Sequence, residues 1–257
     1  MGEGGIMLSN ELEGIYTLWK REMIRFFRSK SRVIGSLGMP FFFLAILGLG
    51  AGSAFSMPGG NYLQFIAPGI IGMVLMFGSM FSGIIVLVDR QFGFLKETLV
   101  APISRLSIII GKVLGGATTA MLQGVLIMAV AILLGAQMQL ANILLLLVFM
   151  FLISTMFVSL GIAIASILED MHGFQLIMNF IIMPLFFLSG ALFPLSSAPA
   201  PIAIASMLDP LTYGVNGLRF ILLGHSDINF FFCTAVVLGF TAVFMAAAIF
   251  LFGRIEE

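Results

Sequence analysis

Six apolar runs, at residues 33–55, 63–88, 108–134, 142–168, 174–195 and 229–252, are separated by polar or proline-broken stretches. Each has about the 20 residues that a membrane-spanning helix requires. The runs are continuously apolar and do not alternate residue by residue, so the pattern predicts helices and not a barrel. Ahead of them, residues 11–28 predict an amphipathic helix. Leu12, Ile15, Tyr16, Trp19, Met23, Phe26 and Phe27 share one face, and Glu13, Thr17, Lys20, Arg21 and Arg28 lie mostly opposite. Leu18 and Ile24 interrupt the pattern. Such a helix lies in the membrane interface, with Trp19, Lys20, Arg21 and Arg25 at the headgroups. It serves as a topology anchor, as a lever between a cytoplasmic partner and the first span, or as both.

The polar stretches orient the bundle. Lys20, Arg21, Arg25, Arg28, Lys30 and Arg32 precede the first run, Arg90, Lys96, Arg105 and Lys112 lie between the second and third, and Arg254 follows the sixth. The segments after the first and third runs hold no Lys or Arg, and the long segment after the fifth holds only Arg219. The positive-inside rule then places both termini in the cytoplasm. Lys112, at the cytoplasmic start of the third run, is expected to snorkel to the headgroups. The outer segment 194–228 is too apolar for a free loop and too interrupted by Pro194, Pro199, Pro201 and Pro210 to span. Short helices that enter the outer leaflet and return fit it, with their irregular backbone buried in protein or facing a wet cavity.

Composition narrows the class. Hydrophobic residues make up 60% of the 257-residue chain and charged ones 9%, with a mean hydropathy of +1.16. Soluble domains carry about 25% charged residues, so this is a polytopic membrane protein. The net charge of +0 says little, because distribution outweighs the sum. The lone Cys233 has no partner for an internal disulfide. No cleavable leader is evident in the first 32 residues, and the first span is expected to act as its own insertion signal.

Candidate chemistry is sparse. No ionisable residue falls near the centre of a run, which disfavours a carrier driven by proton or sodium gradients. Glu169, Asp170 and His172 share a short turn whose simplest reading is solvated, not metal-binding, and no metal site is expected. Gln123 and Asn179 lie at depth and either face a translocation path or bond neighbouring helices. Gly48 with Gly52, and Gly111 with Gly115, have the spacing of close helix packing. No phosphate-binding loop of the G-x-x-x-x-G-K-[ST] type occurs, so energy for any work comes from another chain.

The strip Asp89-Arg90-Gln91-Phe92-Gly93-Phe94-Leu95-Lys96-Glu97-Thr98-Leu99, with Ala101-Pro102 and Gly111-Lys112 beyond it, resembles a signature of the ABC-2 exporter permeases. Gln91 and Phe94 depart from the Glu and Thr common there, which favours drug-exporter-like subgroups. Tyr62-Leu63-Gln64-Phe65-Ile66-Ala67-Pro68-Gly69, Phe187-Leu188-Ser189-Gly190-Ala191-Leu192-Phe193-Pro194 and Asp209-Pro210-Leu211-Thr212-Tyr213-Gly214-Val215-Asn216-Gly217-Leu218-Arg219 resemble further family segments in the same order. The chain is also similar to drug-resistance and lipo-oligosaccharide exporter permeases in topology.

The resemblance implies an all-α fold of six transmembrane helices. It adds an N-terminal interface helix, a cytoplasmic coupling helix between spans 2 and 3, and outer re-entrant helices between spans 5 and 6. The whole chain, 1–257, forms one transmembrane domain: segment 1–32, bundle 33–252 and tail 253–257. Coupling to an ATPase would fall to Asp89, Arg90, Phe92, Gly93, Lys96, Glu97, Pro102 and Arg105. Gln123, Asn179, Phe186 and Phe187 are the pathway candidates, and Gly190, Pro194, Asp209, Pro210 and Tyr213 form the outer cap. The implied partners are two copies of a separate ABC ATPase carrying ATP and Mg, a second permease copy or close paralogue, and membrane lipid. No catalytic residue, no cofactor in this chain and no nucleic acid are expected. The expected setting is the cytoplasmic membrane of a prokaryote, and the expected cargo a drug-like amphiphile, a lipid or a lipid-linked glycan. The rival readings are a non-transporting anchor or assembly factor and an ion-driven secondary carrier.

Overall fold

The computed structural model describes residues 3–50, 62–94, 98, 100–168 and 170–254. The described residues are overwhelmingly helical and include no strand. Helix α1 (Glu3–Arg28) is followed at Ser29 by α2 (Lys30–Phe42), which continues as a π-helical segment, Phe43–Gly50. Next come α3 (Tyr62–Gln91), α4 (Arg105–Leu133) and α5 (Ile143–Ile167). A broken rod follows: α6 (Met171–Ile177), a π-helical turn Met178–Ile182, and α7 (Met183–Leu188). The short α8 (Ala200–Met207) and α9 (Pro210–Leu223) lead to α10 (Phe230–Phe252).

Five of these rods are long and apolar enough to cross a membrane: α3, α4, α5, the α6–α7 rod and α10. They fall on the second to sixth predicted runs. The first predicted run begins in α2 after a 68° bend from α1 and extends past Gly50 into residues 51–55, which lie outside the described residues. Gly52 lies there too. Pro40, inside α2, has no N–H to offer the Ser36 carbonyl one turn back. The widened π-helical turns begin three residues later.

Helix α3 occupies the centre and packs against α4 and α5, while α10 lines the far side of α5. The α3–α5 crossing is close because Gly83 meets Gly161 backbone to backbone; a Cβ at either would press on the other helix's main chain. Such contacts replace hydrophobic exclusion as the source of helix association in lipid. At the end of the bundle where α3 begins, α9 is almost wholly buried among α3, α5 and α10. The segment 194–228 is therefore built of short helices, as its prolines predict, folded back into the bundle.

Helix α1 lies along α4. Gly111 and Gly115 open the groove: a Cβ at Gly111 would lie 2.9 Å from Leu18 Cβ, and one at Gly115 2.8 Å from Glu22 Cβ. The glycine spacing thus marks close packing, as the sequence indicates. The rotation of α1 differs from the simple amphipathic expectation. Leu18, which interrupts that pattern, is buried on α4, and Glu22 beside it is buried as well. Leu12, Tyr16 and Phe27 stay exposed on the opposite side, where they are free to enter lipid. The helix has two apolar faces, one for the bundle and one for the membrane.

Candidate functional site

The polar residues at the α1 end of the bundle converge on Asp89. This residue sits in the last turn of α3, because the helix runs through it to Gln91 before turning at Phe92-Gly93. Asp89 Oδ2 accepts from Lys112 Nζ at 2.5 Å, and Oδ1 accepts from Arg21 Nη2 at 2.7 Å. Arg25 Nη2 lies 3.8 Å from Oδ1, and Arg25 also faces Glu22 at 3.6 Å. Asp89 is 2% exposed and Lys112 6%. Lys112 therefore does not snorkel, because a carboxylate of the neighbouring helix lies within reach at its own depth. Asp89 faces inward, bonded to α1 and α4, and offers no charge to the exterior. The cluster joins three helices through one anion, and each bond to a charged group is of the strong class.

Helix α1 also grips the far end of the α3–α4 loop. Glu11 accepts from the Ser104 amide at 2.9 Å and from Ser104 Oγ at 2.9 Å. Hydrogen bonds from the Ser107 side chain first, and from Ser104, hold the Glu11 carboxyl below its ordinary value of 4.5. A Cβ at Gly14 would lie 2.8 Å from Ile103 Cγ2. At the near end, the Arg21 guanidinium lies 5.3 Å from the Phe94 ring centroid. Trp19 Nε1 donates to Thr118 Oγ1 at 3.2 Å. The loop is thus pinned to α1 on both sides.

The loop's own residues divide sharply. Arg90 donates to the Leu168 carbonyl at 3.4 Å, and Arg105 to the Gly253 carbonyl at 2.6 Å, so both tie the loop to other helix ends. Gly93 adopts φ 78°, the left-handed conformation that favours glycine. Phe92 (75% exposed), Phe94 and Val100 (83%) project outward, and Pro102 follows them in the bends that end the segment. Lys96 and Glu97 lie outside the described residues. Lys20, the remaining interface-helix candidate, is exposed and lies 5.9 Å from the Tyr16 ring centroid.

Of the pathway candidates, Phe186 and Phe187 touch, with ring centroids 5.5 Å apart, and Gln123 sits on a different helix. Gln123 is buried on α4, with Nε2 donating to Ser36 Oγ at 3.2 Å across to α2. Asn179 and Phe187 are exposed on the α6–α7 rod, whereas Phe186 is buried edge-on against Phe43. The outer-cap residues do come together. Asp209 caps α9, accepting from Leu211 N at 2.9 Å and Thr212 Oγ1 at 3.2 Å, with Pro210 as the first helical residue. Tyr213 Oη donates to the Met207 carbonyl at 2.8 Å. Gly190, at φ 70°, turns the chain out of α7, and Pro194 precedes the next turn. The Gly190 carbonyl accepts from Arg219 Nη2 at 2.6 Å, while the Arg219 guanidinium stacks 4.0 Å from the Phe65 centroid. Sequence reasoning gives no site role to Arg219, Phe65, Glu11 or Glu22. Only Arg219 carries a signal, as the sole cation of the outer segment.

The ABC-2 type transporter family profile matches residues 13–223, from α1 through α9. The chain belongs to that family. It is 31% identical over 221 residues to the ycf38 protein of Cyanophora paradoxa, named as a transport permease, covering 84% of this chain and 76% of that one. Nodulation protein J of Rhizobium leguminosarum bv. trifolii is 30% identical over 216 residues, 82% of each chain. The inner membrane transport permease YadH of Escherichia coli K12 is 25% identical over 231 residues, 89% of this chain and 90% of that one. This ABC-2 protein is accordingly a multi-pass membrane permease. The matched region contains the α1–α3–α4 charge cluster, the loop it holds and the outer cap.

Proposed function

We propose that this permease is the membrane half of an ATP-driven exporter. Two copies, or one copy and a close paralogue, enclose the pathway. Two copies of a separate ABC ATPase, which hold the ATP and Mg, dock beneath the loop between α3 and α4, on the cytoplasmic side where both termini lie. The cargo is an amphipathic drug, a lipid or a lipid-linked glycan leaving the cytoplasm or the inner leaflet of a prokaryotic membrane. The observation that carries this reading is the loop itself. It presents Phe92, Phe94 and Val100 to the exterior while Glu11, Arg21 and Asp89 lock it to α1, α3 and α4. A push on that apolar knob reaches three helices at once, as a coupling element requires. Lys96, Glu97 and Arg105 supply charge complementarity to the motor, Arg90 and Pro102 fix the course of the loop, and the Pro194–Tyr213 elements close the outer end.

The test is reconstitution with the ATPase in proteoliposomes. Val100→Asp and Phe92→Asp alter exposed positions, so insertion and folding persist while ATPase co-purification and ATP-dependent export are lost. Export unchanged in both variants rejects the coupling role. Labelling of Val100→Cys by an impermeant maleimide from outside intact cells rejects the orientation.

A further inference from the structure

A cavity of about 650 Å³ opens between α1, α2, α3 and α4, apart from the outward faces of Asn179 and Phe187. Its volume lies within the range of about 300–1,000 Å³ seen for small-molecule sites. Met39, Met73, Phe77, Phe81 and Ile85 are among its lining residues, and methionines adapt their shape to apolar ligands. Two features mark it as more than a packing gap. Gln123, on the wall and only 7% exposed, has its Oε1 without any hydrogen-bond partner among the described residues. Leaving a buried acceptor unpaired is costly, and native structures rarely do so without reason. Gly78 leaves room for that oxygen: a Cβ there would lie 2.5 Å from Gln123 Oε1.

The charges on the wall set the ligand's sign. Glu22 and Arg25 face each other at 3.6 Å, and Arg25 also faces Asp89. Neither offers an uncompensated charge to a carboxylate or an ammonium. The open group, Gln123 Oε1, is an acceptor, which matches a hydroxyl or an amide N–H. We propose that this cavity is a binding site, within a single copy of the chain, for a neutral single-chain amphiphile whose head donates a hydrogen bond to Gln123. The site stands or falls separately from the ATP-driven reading, because binding needs neither a motor nor a second copy.

The test uses the full chain in phosphatidylcholine nanodiscs and hexadecanol bearing a mid-chain diazirine as photoprobe. Adducts are expected on the α2 and α3 wall, around Met39 and Phe77, and to saturate with probe concentration. Unlabelled hexadecanol should compete about tenfold better than hexadecyl methyl ether or palmitate, the worth of one buried hydrogen bond. Gln123→Leu should erase the preference for the alcohol while Phe77 labelling persists. Adducts spread equally onto the exposed α10 residues Phe231 and Phe250 would overturn the site. Equal competition by the ether in the unaltered protein would overturn the role of Gln123, and equal competition by palmitate the neutrality of the head. These last comparisons need no variant and hold even if Gln123→Leu fails to fold.

Discussion

Lys112 Nζ and Asp89 Oδ2 stand 2.5 Å apart with side chains 6% and 3% exposed, and this pair joins the end of α3 to the start of α4. The two partners are not equivalent. Asp89 is the anion that Lys112, Arg21 and Arg25 share, while Glu22 faces Arg25 alone at 3.6 Å. Asp89→Asn takes the carboxylate from buried Lys112 and from Arg21, leaving Glu22 to face Arg25, and is expected to cost about 3 kcal/mol or more, the scale of an uncompensated buried charge. Lys112→Met leaves Asp89 bonded to Arg21 at 2.7 Å and should cost only about 1 to 2 kcal/mol. Thermal unfolding of the two variants in detergent, with the double variant to close the cycle, measures the asymmetry. Equal losses would show that Arg21 and Arg25 do not share the anion.

The rods α3, α4, α5 and α10 are legible in the sequence because lipid demands continuous apolarity, and that demand is local. The cluster around Asp89 is not legible for the opposite reason. Arg21 and Asp89 are 68 residues apart, and no local pattern encodes such a pairing. The amphipathic reading assigns Arg21 to the headgroups and treats Leu18 as an interruption. Packing on Gly111 and Gly115 instead turns Leu18, Glu22 and Arg21 toward the bundle. The glycine spacing announces that a helix approaches closely there but not which one. Lys112 reads as a snorkelling residue because its counter-ion belongs to another helix. Of the candidate pathway, the depth of Gln123 is readable from its place in an apolar run, while the orphaned state of its oxygen is purely tertiary.

The Glu11–Ser104 contact should respond to acid. The Ser107 and Ser104 hydrogen bonds lower the Glu11 carboxyl from 4.5, so the folded state binds the proton less tightly than the unfolded one. A group depressed in this way stabilises the fold above its unfolded value, and the contribution fades as pH falls through the lower folded value. The α1–α4 contact should therefore hold at neutral pH and persist down to 4.5, then loosen in more acidic solution. Hydrogen exchange at the Ser104 amide, corrected for intrinsic rates, should stay slow down to 4.5 and accelerate as the pH falls below it. Glu11→Gln should remove that pH dependence. A pH response unchanged in Glu11→Gln would place its origin elsewhere.

Arg219 offers a test of shape against charge. The residue is 4% exposed, and its guanidinium lies 4.0 Å from the Phe65 ring centroid and donates to the Gly190 carbonyl at 2.6 Å. Lysine would keep the charge buried while giving up the planar stack and the forked donors. Methionine would remove the buried charge and keep the apolar stem. Arg219→Lys should therefore lower the unfolding temperature more than Arg219→Met. The reverse order would mean that net charge, and not the guanidinium plane, holds α9 against α3.

The contact of Gly83 with Gly161 predicts a graded series of glycine substitutions. A Cβ at Gly83 would press on the Gly161 carbonyl carbon and oxygen, and one at Gly161 would sit 2.9 Å from the Met80 carbonyl oxygen. Main-chain atoms cannot rotate aside, so Gly83→Ala must separate α3 from α5, at a cost of about 1–3 kcal/mol for overpacking. At Gly78 the obstacle is the Gln123 side chain, which can swing, so Gly78→Ala should cost less. Gly35 in α2 has open space around its Cβ position. There alanine gains about 1 kcal/mol of helix propensity with nothing to displace. Unfolding temperatures should thus fall most for Gly83→Ala, less for Gly78→Ala, and hold or rise for Gly35→Ala. A Gly83→Ala protein as stable as the parent would mean that α3 and α5 cross farther apart than their backbones indicate.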